Sequence, residues 1–192
     1  MSPDRPGSPG SGAGPKKLNS KSQPTLHVAS LAASLQLSDP RLVDRFIVMG
    51  FDAETASALY LLPLIEVAWA NGEISRSERT QIMRLMRLRE IEEGSRAYRL
   101  CESLMARRPT DDYWLRCREL LKVLLHAKGK TAEEMLDQQL IHLCMDIADA
   151  SGGLFGLGKR VSKDEQNVIA EIARSLGEPA VKALRARLSS DV

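Results

Sequence analysis

From Leu26 onward, apolar residues recur at spacings of three and four with charged or polar residues between them. That is the period of an amphipathic helix and not the strict alternation of a strand. The punctuation agrees, because Ser, Thr or Asp precedes several of the apolar runs while Gly or Pro follows them. The pattern predicts an all-α helical bundle of about eight helices. The first covers 26–35, and a second starts behind Ser38-Asp39-Pro40 and ends at Gly50. Asp52 is expected to cap a long helix running to about Ala70 and kinked at Pro63. Further helices fall at 76–88, with Ile82, Leu85 and Met86 facing inward, and at 96–107, before Pro109. Thr110 opens one whose stripe is Tyr113, Cys117, Leu120 and Leu124 and which Gly129 closes. Thr131, with Glu134 three residues on, opens a long helix carrying Leu136, Leu140, Leu143 and Ile147 on one face, up to the glycine-rich stretch at Gly152. Segments 163–176 and 179–188 complete the bundle.

Two of these segments repeat each other. Leu61, Leu64, Ile65, Glu66, Val67, Ala68, Ala70 and Gly72 fall opposite Ile141, Cys144, Met145, Asp146, Ile147, Ala148, Ala150 and Gly152 at an offset of 80. Beyond the glycine, Ile74, Ser75, Glu78, Ile82 and Leu85 fall opposite Val161, Ser162, Glu165, Ile169 and Ile172 at an offset of 87. The chain therefore holds an internal duplication whose second loop is seven residues longer. Each copy is an apolar helix, a glycine turn, one apolar residue and Ser-x-x-Glu. In such a box the serine hydroxyl accepts the N–H three residues on, and the glutamate accepts the serine N–H, so two orphan donors of the helix start are satisfied. Ser75 with Glu78 and Ser162 with Glu165 are the expected caps, and Ile74 and Val161 are placed as their hydrophobic staples.

The stretch Leu64-Ile65-Glu66-Val67-Ala68-Trp69-Ala70-Asn71-Gly72-Glu73-Ile74-Ser75, with Glu78 behind it, resembles the signature of TerB-like domains, named for bacterial tellurite-resistance proteins. Asp149-Ala150-Ser151-Gly152-Gly153-Leu154-Phe155-Gly156, then Val161-Ser162 and Glu165, looks like its partner half. The resemblance runs from about Leu59 to Leu176 and is specific only at the two turns. It implies a pseudo-twofold helical bundle, a link to stress and tellurite response or to co-chaperone proteins, and a divalent-metal site of acidic residues near the turns. The family's acidic residue before the turn glycine is here Asn71 in one copy and Ser151 in the other, which removes two carboxylates from such a site. The remaining acidic candidates for a divalent cation are Glu66, Asp146 and Asp149.

Composition refines the picture at the ends. Residues 1–24 are rich in Pro, Gly, Ser and Lys and too poor in apolar groups to offset the entropy of ordering, so they read as a flexible tail before a helical domain at 25–192. Arg5, Lys16, Lys17 and Lys21 against Asp4 give the tail a net charge of +3, and the whole chain carries only +2. The folded part is thus close to neutral, which argues against a broad nucleic-acid footprint. Arg76, Arg79, Arg84 and Arg87 read as a solvated helix face. No apolar run has the ~20 residues of a membrane span, and the N-terminus lacks the apolar core of a secretory signal. Cys101, Cys117 and Cys144 are widely spaced within apolar patterns, as buried thiols of a reducing cytoplasm would be.

Candidate chemistry is sparse. His142 and Asp146 lie one helical turn apart, but two ligands from one helix do not make a zinc site. Gly153 to Lys159 has the glycine and lysine spacing of a phosphate loop, yet Arg160 replaces the Mg²⁺-binding hydroxyl and no strand precedes it. No nucleophile, base and acid can be set in order from three histidines. The expectation is a non-catalytic module with a protein partner, no membrane span and no obligatory cofactor, a divalent cation being the alternative. Leu154, Phe155 and Leu157 in the glycine loop are either a plug over the bundle or a partner-facing tip.

Overall fold

Apolar periodicity and side-chain caps give nine α-helices among the described residues, which in this computed structural model are 23–151 and 161–190, with no strand between them. They are α1 (Gln23–Leu35), α2 (Pro40–Val48), α3 (Leu62–Ala68), α4 (Arg76–Leu88), α5 (Arg96–Ala106), α6 (Asp111–Ala127), α7 (Lys130–Ser151), α8 (Lys163–Leu176) and α9 (Glu178–Ser190), with a 3-10 segment at Ala56–Leu61. The caps explain where several begin. The Asp39 carboxylate accepts the Arg41 N–H, the Ser95 hydroxyl the Tyr98 N–H and the Thr110 hydroxyl the Tyr113 N–H, each satisfying a donor the helix leaves open.

Three expectations need correction. The chain is helical from Gln23, two residues inside the segment read as tail; a proline at Pro24 is tolerated in a first turn, where its missing N–H has no partner to lose. The long kinked helix from Asp52 to Ala70 is instead the 3-10 segment followed by the seven-residue α3. Pro63 supplies no N–H to a ladder continuing from the preceding turn, so the α-ladder restarts with Pro63 in its first turn. Asp52 closes a local turn, accepting the N–H groups of Glu54 and Thr55, rather than capping an α-helix. Finally, α7 starts at Lys130, with the Gly129 carbonyl accepting the Glu133 N–H, which places Thr131 within the first turn.

The most buried helix is α3, all seven of whose residues are buried, Glu66 included. It packs against α4, α5, α6, α7 and α8, while α7 lies against α3, α4, α6, α8 and α9. Helix α5 is tied to the first turn by two side chains: the Trp69 Nε1–H donates to the Leu104 carbonyl at 2.9 Å and Arg79 to the Met105 carbonyl at 2.9 Å. Both carbonyls belong to the open end of a helix, where acceptors need outside donors. Arg79 is therefore a structural clamp, whereas Arg76, Arg84 and Arg87 are exposed as expected of a solvated face.

Candidate functional site

The first repeat's turn meets the second repeat at Ser162, the start of α8. In the first, Gly72 takes a left-handed backbone (φ +88) that a residue with a Cβ rarely adopts, and its N–H reaches the Trp69 carbonyl at 2.9 Å. Three residues later the capping box of α4 is closed: the Ser75 N–H donates to Glu78 Oε2 at 2.7 Å, and the Glu78 N–H to Ser75 Oγ at 3.2 Å. The box of α8 has the same geometry, with the Ser162 N–H to Glu165 Oε2 at 2.7 Å and the Glu165 N–H to Ser162 Oγ at 3.2 Å. One bond joins the copies, as the Ser162 hydroxyl donates to Asn71 Oδ1 across 3.0 Å. Asn71 thus supplies an acceptor for the hydroxyl of the opposite capping box. Glu78 and Glu165 are both buried, and burial, with the charge of Glu165 adding to it, raises the Glu78 carboxyl.

A buried charge cluster lies beside the first turn. Glu66 on α3 and Arg118 on α6 are each only 8% exposed, so neither charge is relieved by bulk water. Arg118 Nη1 donates to Glu66 Oε1 at 3.1 Å and to Glu171 Oε2 of α8 at 3.3 Å, sharing one guanidinium between two carboxylates. Burial pushes Glu66 up to about 7, outweighing the attraction of Arg118. These three residues, with Trp69, Trp114, Arg108, Asp111, Ala70 and Val168, line a cleft of about 230 Å³. Glu66 Oε2, Arg118 Nε and Trp114 Nε1 are shut off from solvent and have no hydrogen-bond partner.

The acidic residues read from the sequence go to different places. Glu66 is held by Arg118, whereas Asp146 and Asp149 on α7 each lie 3.9 Å from Arg187 of α9. Among the described residues, no group of three or more His, Cys, Asp or Glu side chains is placed to hold a metal ion. His142 is exposed. The three cysteines are buried and free, with burial pushing Cys101 and Cys117 up to about 12 and Cys144 also upward. Leu154, Phe155 and Leu157, and the glycine loop that holds them, lie outside the described residues. None of the described helices is long and apolar enough to cross a membrane.

Sequence reasoning missed Arg118 and Trp114. The available signal was local: they are four residues apart and so share a helix face. A glutamate inside the apolar run Leu61–Ala68 also requires a cationic partner from elsewhere in the chain. No family model, curated protein or solved structure matches the chain.

Proposed function

We propose that this chain is a non-catalytic, TerB-like interaction module of the cytoplasm, acting in a stress or tellurite response by presenting its paired turns to a protein partner. The observation that carries the reading is the Ser162–Asn71 bond, which joins the first turn to the second of two geometrically matched capping boxes. Two further features support it. The thiols are buried, which raises their pKa, and His142 is exposed.

The test is capture of partners by the full chain from native lysate, in parallel with an Asn71→Lys variant of matched melting temperature. A stoichiometric protein retained by the native chain and lost by the variant is the expected result. A partner retained equally by both, or none enriched over a bare resin, would reject the turns as the presenting surface.

A further inference from the structure

A surface helix needs one apolar face to pack, and Val43 and Phe46 supply it for α2. The run Phe46-Ile47-Val48-Met49 carries more apolar residues than that face uses. Ile47 and Val48 are exposed, and Val48, at 83%, is the most exposed large aliphatic side chain among the described residues. Leu115 of α6 is exposed as well and lies one turn before Glu119 on the same helix face. Between the two helices runs a groove of about 380 Å³, lined by Asp44, Arg45, Val48, Met49, Arg116 and Glu119. Aliphatic groups gathered beside a polar-rimmed groove mark an interaction surface. The rim narrows the choice of partner. Each helix brings one acid and one base, Asp44 with Arg45 and Glu119 with Arg116, and all four are exposed. Their charges cancel, so the groove attracts neither a polyanion nor a polycation. It complements a surface with one acid and one base on each of two ridges, and a twofold axis generates such a surface from this one. Within the chain these charges are loosely held. Arg45 and Glu119 stand 3.9 Å apart, the Arg116–Asp112 pair is exposed, and the Asp44 carboxylate is in no ion pair among the described residues. Exposed pairs contribute little and rearrange readily.

We propose that the α2–α6 face is the interface of a homodimer, in which Ile47, Val48 and Leu115 of two copies pack about a twofold axis with Asp44 of each copy facing Arg116 of the other. Helix α2 of each copy then lies along α6 of the second, and every contact occurs twice. The patch is small, which places the dimer among weak, concentration-dependent associations. It uses no residue of either turn, so its failure would leave the partner-binding proposal standing.

The experiment is sedimentation equilibrium of the full chain from micromolar to millimolar concentration. The expected result is a mass that rises from the monomer's 21.2 kDa towards twice that value. Val48→Lys should raise the dissociation constant at least about tenfold. That variant should still fold, because the side chain it replaces is solvated and a lysine suits the last residue of a helix. The charges give the decisive arm. Asp44→Arg alone sets arginine against arginine at both contacts, and Arg116→Asp alone sets carboxylate against carboxylate, so each variant by itself should remain monomeric. Mixed in equal amounts, the two should form a heterodimer, because both contacts then join opposite charges. Such a rescue requires a twofold contact between these two positions, which nonspecific apolar association does not supply. A chain that stays monomeric throughout the range, a dimer untouched by Val48→Lys, charge variants that dimerise alone like the native chain, or charge variants that stay monomeric when mixed would each overturn the proposal.

Discussion

Glu66 and Asp146 occupy equivalent positions of the two repeats, and each is met by an arginine from a helix outside its own repeat: Arg118 of α6 in one case, Arg187 of α9 in the other. The first pair is buried and hydrogen-bonded at 3.1 Å; the second is separated by 3.9 Å, with the Asp146 side chain about half exposed. The helices that carry them differ as well. Pro63 breaks the first copy into a 3-10 segment and a seven-residue α3, while its counterpart Leu143 lets α7 run unbroken for 22 residues. The two copies thus share their capping boxes while the flanking helix and its charge differ. A box made of backbone and two adjacent side chains is satisfied within four residues, whereas a buried charge depends on what the rest of the fold packs against it.

The largest difference between the copies should come from removing each arginine. Arg118→Ala leaves Glu66 buried without its cation and should cost about 3–5 kcal/mol in urea melts at pH 8. The penalty should shrink at pH 5, where Glu66 takes a proton and no longer needs the partner. Arg187→Ala removes a long, partly exposed pair and should cost under about 1 kcal/mol at either pH. Equal penalties would mean that the two sites are not energetically distinct.

The second contrast exchanges the helix breaker. Leu143→Pro should cost about 3 kcal/mol or more, because it interrupts the ladder midway along α7. Pro63→Ala should cost only about 0.4–1 kcal/mol, since Pro63 sits in a first turn with no donor to lose. Thermal melts followed by circular dichroism measure both. A cheap Leu143→Pro would show that α7 is not one continuous helix.

The pH dependence sharpens the comparison further, because the buried carboxyls hold their protons longer in the folded chain. Glu66 has an ordinary value of 4.5 and is pushed up to about 7 by burial; Asp137, on α7 with both oxygens buried and unpartnered, goes from 3.8 to about 6. Between these limits the unfolded chain binds fewer protons than the folded one. The contribution of these two groups to stability is therefore fully present below about pH 4, falls as the pH rises towards 7, and changes by at most about 1.4 kcal/mol per pH unit per group. Glu66→Gln and Asp137→Asn should each flatten part of that slope in urea melts across the range. A slope unchanged in both variants would mean that other groups carry it.

These contrasts also show where the sequence was readable. The starts of α4, α6 and α8 were legible because Ser75, Thr110 and Ser162 act within their own first turns. The break at Pro63 was readable only as a kink, since the pattern of apolar residues does not distinguish a 3-10 turn from an α turn when both are buried. Arg118 is 52 residues from Glu66, and no local period encodes that meeting. The same distance in sequence explains why Glu66, Asp146 and Asp149 looked like one acidic set: their partners, Arg118 and Arg187, lie outside the repeat pattern that brought them together on paper.

The last contrast concerns the feature the repeats share. Ser75→Ala and Ser162→Ala each remove a hydroxyl that accepts a first-turn N–H at 3.2 Å and should cost about 0.5–2 kcal/mol. Ser162→Ala should lie at the upper end, because that hydroxyl also donates to Asn71 and its loss uncouples the turns. Glu78→Gln should be milder than either: the amide oxygen still accepts the Ser75 N–H, and the exchange removes one of two buried charges that repel each other. This ranking holds with or without chelator if the glutamates serve as caps. Were they ligands of a divalent cation, Glu78→Gln would become the costlier change whenever the metal is present, since cation affinity depends on carboxylate charge more than on the serine hydroxyl. Urea melts of the three variants with Ca²⁺, Mg²⁺, Mn²⁺ or Zn²⁺ and after chelation decide between the two, and a Glu78→Gln penalty confined to the metal-loaded samples would replace the capping account with a metal site.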